Sequence, residues 1–172
     1  MNLIVAADDR WGIGKDGKLL VHLSGDLRYF KEKTRGKTVF MGRKTLESLP
    51  GGKPLPERTN IVLTSKKDYE KDGCIIVHSE DELLAECGRY PDDDVMCIGG
   101  AVMYNRFMEM CDRLYVTRIY GDFDADVFIK DPGSLGKFDM AWKSGINEEK
   151  GIRYQFFIYE RTERQDDGKD KK

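Results

Sequence analysis

The stretch Asp94-Val95-Met96-Cys97-Ile98-Gly99-Gly100-Ala101-Val102-Met103-Tyr104 reads as a buried strand that closes on paired glycines and opens a helix. The apolar run has strand length, the glycines interrupt it, and a helix-like segment follows over 101–110. The same order recurs on both sides. Upstream, strand-like residues 38–41 precede a helix-like 43–49, and residues 3–7 precede, after a glycine-bearing loop, a helix-like 24–34. Strands are also expected at 60–64 and 74–77, the latter followed by a helix over 79–87 whose Ser79-Glu80-Asp81-Glu82 start has capping-box spacing. This alternation predicts an α/β fold with a mainly parallel central sheet and helices on both faces. The last third differs. Residues 113–119 and 154–160 read as strands joined by a long Gly- and Asp-rich connection without a helix, which predicts an antiparallel C-terminal edge strand.

The 172 residues fit one domain, expected over 1–161, with 162–172 so uniformly polar that they are expected to form a loose, disordered tail. With 29 basic and 31 acidic residues the net charge is −2, which supplies no electrostatic case for nucleic acid or an anionic membrane. The apolar start is short and is stopped by Asp8 and Asp9, so it lacks the form of a signal peptide, and a cytoplasmic location is expected. Cys74, Cys87, Cys97 and Cys111 form no Cys-x-x-Cys pair and read as reduced packing residues. His22 and His78 are too few and too far apart for a zinc site or a hydrolase triad, so no metal is expected.

Asp26 is the leading chemical candidate. Ser24 is a natural N-cap, which sets Asp26 in the first turn of a helix with Leu27 and Phe30 beside it. Burial against Leu27 and Phe30 would raise its pKa, and the positive end of the helix would oppose that. A solvated first-turn Asp is the plain alternative. The Gly99-Gly100 turn allows close backbone approach to a ligand or simply makes a turn, and the Gly-x-Gly-x-x-Gly fingerprint is absent. Met41-Gly42-Arg43-Lys44-Thr45 and Thr64-Ser65-Lys66-Lys67 place cations and hydroxyls at two further strand ends, suited to a phosphate or to plain solvated charge. Lys53-Pro54-Leu55-Pro56-Glu57-Arg58 is a proline-stiffened loop that could present Arg58 to a carboxylate or to a structural ion pair. Gly12, Gly14 and Gly17 mark a loop at the carboxyl end of the first strand, where open α/β sheets bind ligands.

In order, Gly12-Ile13-Gly14, the Asp26 helix, Met41-Gly42-Arg43-Lys44-Thr45, Pro54-Leu55-Pro56-Glu57-Arg58, Ile98-Gly99-Gly100 and Leu114-Tyr115-Val116-Thr117 resemble the dihydrofolate reductase family over about residues 2–161. The resemblance implies hydride transfer from NADPH to C6 of 7,8-dihydrofolate with a proton added at N5, and a chain that binds antifolate inhibitors as a monomer. It implies that Asp26 is the active-site carboxylate and that Thr117 hydrogen-bonds it. Val5, Ala6, Leu27, Phe30, Leu49, Leu55 and Ile98 match the family's apolar walls around the substrate, and Arg58 matches the arginine that grips the glutamate end. Ala7, Ile13, Gly14, Arg43, Lys44, Thr45, Thr64, Ser65, Lys66, Gly99, Gly100, Ala101, Val102 and Tyr104 match the NADPH groove, with Arg43, Thr64, Ser65 and Lys66 toward the 2′-phosphate. A cis Gly99-Gly100 peptide and a mobile loop over 9–23 are further expectations of the resemblance.

The chain departs from the family pattern where Leu19-Leu20-Val21 replaces the usual Leu-Pro-Trp, where Val102 replaces a common basic residue, and at an added Pro50-Gly51-Gly52. Rival readings are a related NADPH-dependent pterin or flavin-pathway reductase, and a catalytically silent NADPH- or folate-binding protein.

Overall fold

In strand β1 (Asn2–Ala7), Leu3 and Val5 are buried in one apolar cluster while Ile4, between them, is buried in another. The same alternation runs through β4 (Thr38–Gly42), β5 (Thr59–Leu63) and β7 (Val95–Cys97). There Phe40, Ile61, Val95 and Cys97 face one way and Val39, Met41, Val62 and Met96 the other. A strand with period-2 side chains that is buried on both faces must lie between two layers, which is the situation of a parallel sheet covered by helices. The computed structural model, which describes residues 1–162, has that arrangement.

The remaining elements are β2 (Gly12–Lys15), β3 (Lys18–Leu19), α1 (Ser24–Thr34), α2 (Arg43–Ser48), β6 (Cys74–Val77), α3 (Glu80–Cys87), α4 (Ala101–Phe107), β8 (Arg113–Ile119), β9 (Val127–Phe128), β10 (Phe138–Lys143), β11 (Asn147–Glu149) and β12 (Ile152–Arg161). The main sheet has the order β10-β12-β8-β1-β7-β4-β5-β6, with β11 also paired to β12. Strands β8, β1, β7, β4, β5 and β6 are mutually parallel, and β12 runs antiparallel to β8, β10 and β11. Residues of α1 and α2 (Tyr29, Phe30, Leu46) pack on the Ile4 side, and those of α3 and α4 (Leu83, Cys87, Met103, Phe107) on the Leu3 side.

Several expectations are refined. The antiparallel part is broader than one edge strand, since β12 is interior and β10 forms the edge. β10 is exposed at every position after Phe138, so it carries no alternation to read. The segment 9–23 holds β2 and β3, which join β9 in a small antiparallel sheet. The helix expected over 101–110 ends at Phe107 and tightens into a 3-10 turn at Met108–Met110. The polar tail expectation lies outside the described residues beyond 162. All four cysteines are free, with Cys87, Cys97 and Cys111 buried and pushed up in pKa mainly by that burial.

Candidate active site

The start of α1 is held by a residue from the far end of the chain. Ser24 is the first helical residue rather than the cap, because its hydroxyl and amide, with the amide of Gly25, donate to the carboxylate of Glu149 on β11. Glu149 thereby serves amides that a helix start leaves unpaired, and these bonds hold its own pKa below the ordinary value. Gly25 permits the close approach, since a Cβ there would collide with the hydroxyl of Tyr154 on β12. With the helix end served by Glu149, Asp26 is free to face the sheet.

Its Oδ1 accepts a 2.7 Å hydrogen bond from the Thr117 hydroxyl, and Thr117 lies opposite Ala6 in the β1–β8 ladder. Thr117 is buried and Asp26 half-buried. Burial pushes the Asp26 carboxyl above its ordinary pKa, and the Thr117 hydrogen bond opposes that without cancelling it. Tyr29, half-buried and stacked on Phe156 at 4.0 Å, is pushed up to about 12, chiefly by burial, with smaller contributions from the charges of Tyr115 and Asp26. The expected burial by Leu27 fails: Leu27 is 46% exposed, so the cover over Asp26 comes from other neighbours.

Phe30, Leu49, Leu55 and Ile98 meet in one cluster with Tyr115, so these expected wall residues are brought together. Val5 is buried in the cluster on the opposite face, and Ala6 packs with Val21 and Leu23. Beside the wall, Arg58 is half-buried, its Nε has no hydrogen-bond partner, and burial is the main cause holding its pKa below the usual arginine value. Neighbouring Arg35 takes Glu57 at 2.9 Å, which leaves Arg58 outside that ion pair. Asn60, which the sequence reading missed, fixes the loop: its amide accepts from Leu55 N at 3.0 Å and donates to the carbonyls of Leu55 and Arg58.

At the carboxyl ends of β4 and β7 the two strand-to-helix junctions are joined, Gly42 N donating to Gly99 O at 2.9 Å. The Gly99-Gly100 peptide is cis. Gly99 has φ 125°, and a Cβ there would stand 3.2 Å from the Tyr104 ring, while one on Gly100 would stand 3.4 Å from Thr45 Oγ1. Gly99 therefore has neither the backbone conformation nor the room for a side chain, and one on Gly100 would enter the space beside Thr45. Tyr104 supports this turn from below, its hydroxyl spent on the Ile4 carbonyl at 2.8 Å. Of the other residues expected to meet the cofactor, Ala7 is buried, Ile13, Gly14, Thr45 and Ala101 are half-buried, and Lys44, Ser65, Lys66 and Val102 are exposed. Thr64 is buried; its hydroxyl accepts from Lys66 N, and its carbonyl meets His78 Nδ1 at 3.0 Å, a neighbour the sequence reading also missed. Arg43 is engaged by Glu47 at 2.8 Å, an i,i+4 surface pair worth only about 0.3–0.5 kcal/mol and so readily exchanged for a phosphate. The glycine-made cradle and this ring of donors fit a phosphate-bearing dinucleotide.

No helix among the described residues is long and apolar enough to cross a membrane, and none of their His, Cys, Asp and Glu side chains group as metal ligands.

A family model described as dihydrofolate reductase matches residues 1–161. The chain is 38% identical over 162 residues to a dihydrofolate reductase of Bacillus subtilis (strain 168), covering 94% of each. It is 36% identical over 162 residues to one from Staphylococcus haemolyticus, covering 94% of this chain and 95% of the relative. Among solved structures it resembles dihydrofolate reductase from Enterococcus faecalis complexed with NADP(H) and RAB-propyl, with TM-score 0.84 and 38% identity over 94% of this chain and 96% of that one. Sequence, backbone and a site that pairs one half-buried carboxylate with a dinucleotide cradle thus agree: the chain belongs to the dihydrofolate reductase family, enzymes that reduce dihydrofolate with NADPH.

Proposed function

We propose that Asp26 and Thr117 orient and polarise the pterin ring while 7,8-dihydrofolate is reduced to tetrahydrofolate. The observation that carries this assignment is the raised-pKa carboxylate of Asp26, held at 2.7 Å by Thr117 and set beside the Phe30, Leu49, Leu55 and Ile98 wall. Asp26 accepts hydrogen bonds from the pterin 2-amino group and N3, and Thr117 fixes the carboxylate for that contact. The resulting polarisation favours protonation at N5, with the proton delivered through water. NADPH supplies the hydride for C6. Gly99 and Gly100 admit it closely, with Ala7, Ile13, Gly14, Thr45, Ala101, Val102 and Tyr104 lining its groove. Arg43, Lys44, Thr64, Ser65 and Lys66 hold its phosphates. Ala6 and Leu27 complete the substrate wall, and exposed Leu27 gains cover when the ring binds; Val5, its side chain buried on the other face of the sheet, borders the ring through its backbone alone. Arg58, half-buried and outside the neighbouring ion pair, grips the glutamate carboxylate.

We further propose a cytoplasmic monomer, single-domain over 1–161, that takes dihydrofolate and antifolates rather than nucleic acid. The free cysteines and the net charge of −2 support it. Light scattering tests the monomer.

Loss of NADPH absorbance with dihydrofolate, compared across pH for the wild type and Asp26→Asn, tests the catalytic assignment. The expected result is a fast wild type and a variant severely impaired at neutral pH and partly recovered in acid. A variant as fast as the wild type refutes the role of Asp26. A wild type that binds NADPH without reducing dihydrofolate marks a changed substrate or a silent binder.

A further inference from the structure

The segment leaving β1 is pinned at its root by a cation that the chemistry above does not use. Arg118 of β8 lies opposite Ala7 in the ladder and is next to Thr117, on the other face of the sheet. Its guanidinium carbon stands 3.9 Å from the centroid of the Trp11 ring. Through Nη2 it donates to the carbonyls of Asp8 at 3.1 Å and Asp9 at 3.4 Å, while its Nε is buried without a partner. Trp11 has φ 62°, in the left-handed region that a bulky residue adopts only when its surroundings impose it. Its carbonyl accepts from Ile129 N at 3.0 Å, so Trp11 is held at ring and backbone alike.

Asp8 completes the root from the other side. Its carboxylate is fully buried, and its oxygens accept from the amides of Arg10 and Gly12 at 2.9 Å and of Phe123 at 3.2 Å. These bonds occupy the carboxylate with backbone amides. The Arg118 charge is met by carbonyl dipoles and the indole face in a half-buried place, where cation–π attraction is stronger than at an exposed one. Directly beyond this root stand Ile13 and Gly14.

We propose that Arg118 is a positioning residue for the cofactor: by stacking on Trp11 and tying the Asp8 and Asp9 carbonyls, it sets the exit of the chain from β1 and so the placement of Ile13 and Gly14 in the NADPH groove. This rests on the assignment of Ile13 and Gly14 to that groove. The chain has two tryptophans, and Trp142 lies exposed on β10, so Trp142→Phe leaves Trp11 as the sole fluorescent reporter of the root.

In that background, Arg118→Met and Arg118→Lys are compared for tryptophan emission, acrylamide quenching, Tm and the KM of each substrate. Arg118→Met is expected to shift Trp11 emission to the red, increase its quenching and raise the KM for NADPH about tenfold, leaving that for dihydrofolate within about twofold. Arg118→Lys keeps the charge and loses the planar fork, so it falls between. Unchanged emission with unchanged NADPH KM overturns the proposal, as does an equal rise in both KM values accompanied only by a lower Tm. Ile13→Ala separates the two assignments. If it raises the NADPH KM while Arg118→Met does not, the proposal alone fails; if it leaves that KM unchanged, the groove assignment fails and the proposal with it.

Discussion

Replacing Asp26 by Asn is expected to stabilise the fold at neutral pH while removing most of its activity. The carboxylate is half-buried, and among the described residues its one hydrogen-bond donor is Thr117, at 2.7 Å. A hydrogen bond to a charged acceptor returns about 1.5–3 kcal/mol. Burial outweighs that return here, because the folded-state pKa stands above the ordinary 3.8. Keeping the carboxylate ionised in the fold therefore carries a net cost, partly screened by solvent. Asn is nearly isosteric, still accepts from Thr117 through its oxygen, and carries no charge to desolvate. For a chain of this size each kcal/mol so relieved corresponds to a Tm increase of about 2–4 °C. Because the folded pKa is raised, the contribution of this group to stability is present below 3.8 and is lost as pH rises through the folded value. The advantage of the variant is therefore largest near neutrality and closes in acid. Thermal unfolding followed by circular dichroism at pH 7 and pH 4 measures it, and kcat at pH 7 is expected to fall about 10²–10⁴-fold. A variant that melts below the wild type at pH 7, or gains equally at both pH values, refutes the reasoning.

Arg58→Leu is expected to raise the KM for dihydrofolate at least about tenfold with kcat little changed, since it removes a contact made alike in ground and transition states; an unchanged KM removes Arg58 from the glutamate end. Gly99→Ala puts a Cβ on a backbone at φ 125° and 3.2 Å from the Tyr104 ring, at a cost of about 1–3 kcal/mol, read as weaker NADPH binding in a fluorescence titration. Val21→Trp restores a large wall group among Leu23, Ile119 and Tyr154, and is expected to change either the affinity for dihydrofolate or turnover; no change in either dismisses position 21. Glu149 has its pKa lowered, first by Ser24, so its contribution is present above its ordinary 4.5 and lost as pH falls through the folded value. Glu149→Gln is therefore expected to lower Tm at pH 7 and to match the wild type in strong acid, and a deficit that persists in acid argues against helix capping.

The elements that the sequence revealed are those whose signal is local. Residues 24–34 and 113–119 carry periodicity and boundary residues of their own, 74–77 is an unbroken apolar run set off by polar neighbours, and the observed α1, β8 and β6 have those bounds. The paired glycines at 99 and 100 punctuate a strand-to-helix turn in either environment. Strands β2, β3, β9 and β11 are two to four residues long, and β10 is longer but exposed, so none presents a periodic pattern. Ser24 looked like a cap because a hydroxyl at a helix start usually is one, yet Glu149, 125 residues away, supplies stronger, charged acceptors.

By itself, then, the order of amino acids determined the α/β layering, the position of Asp26 in the first turn of α1 and the glycine turn at the end of β7, because short-range sterics and side-chain spacing govern them. Only the tertiary structure decided which groups meet Asp26, that Arg58 stands outside the ion pair beside it, that Leu27 lies open, and that Arg118 covers Trp11. Each of those depends on segments far apart in the chain, and hydrogen bonding, desolvation and stacking act through distances in space that spacing along the sequence does not specify.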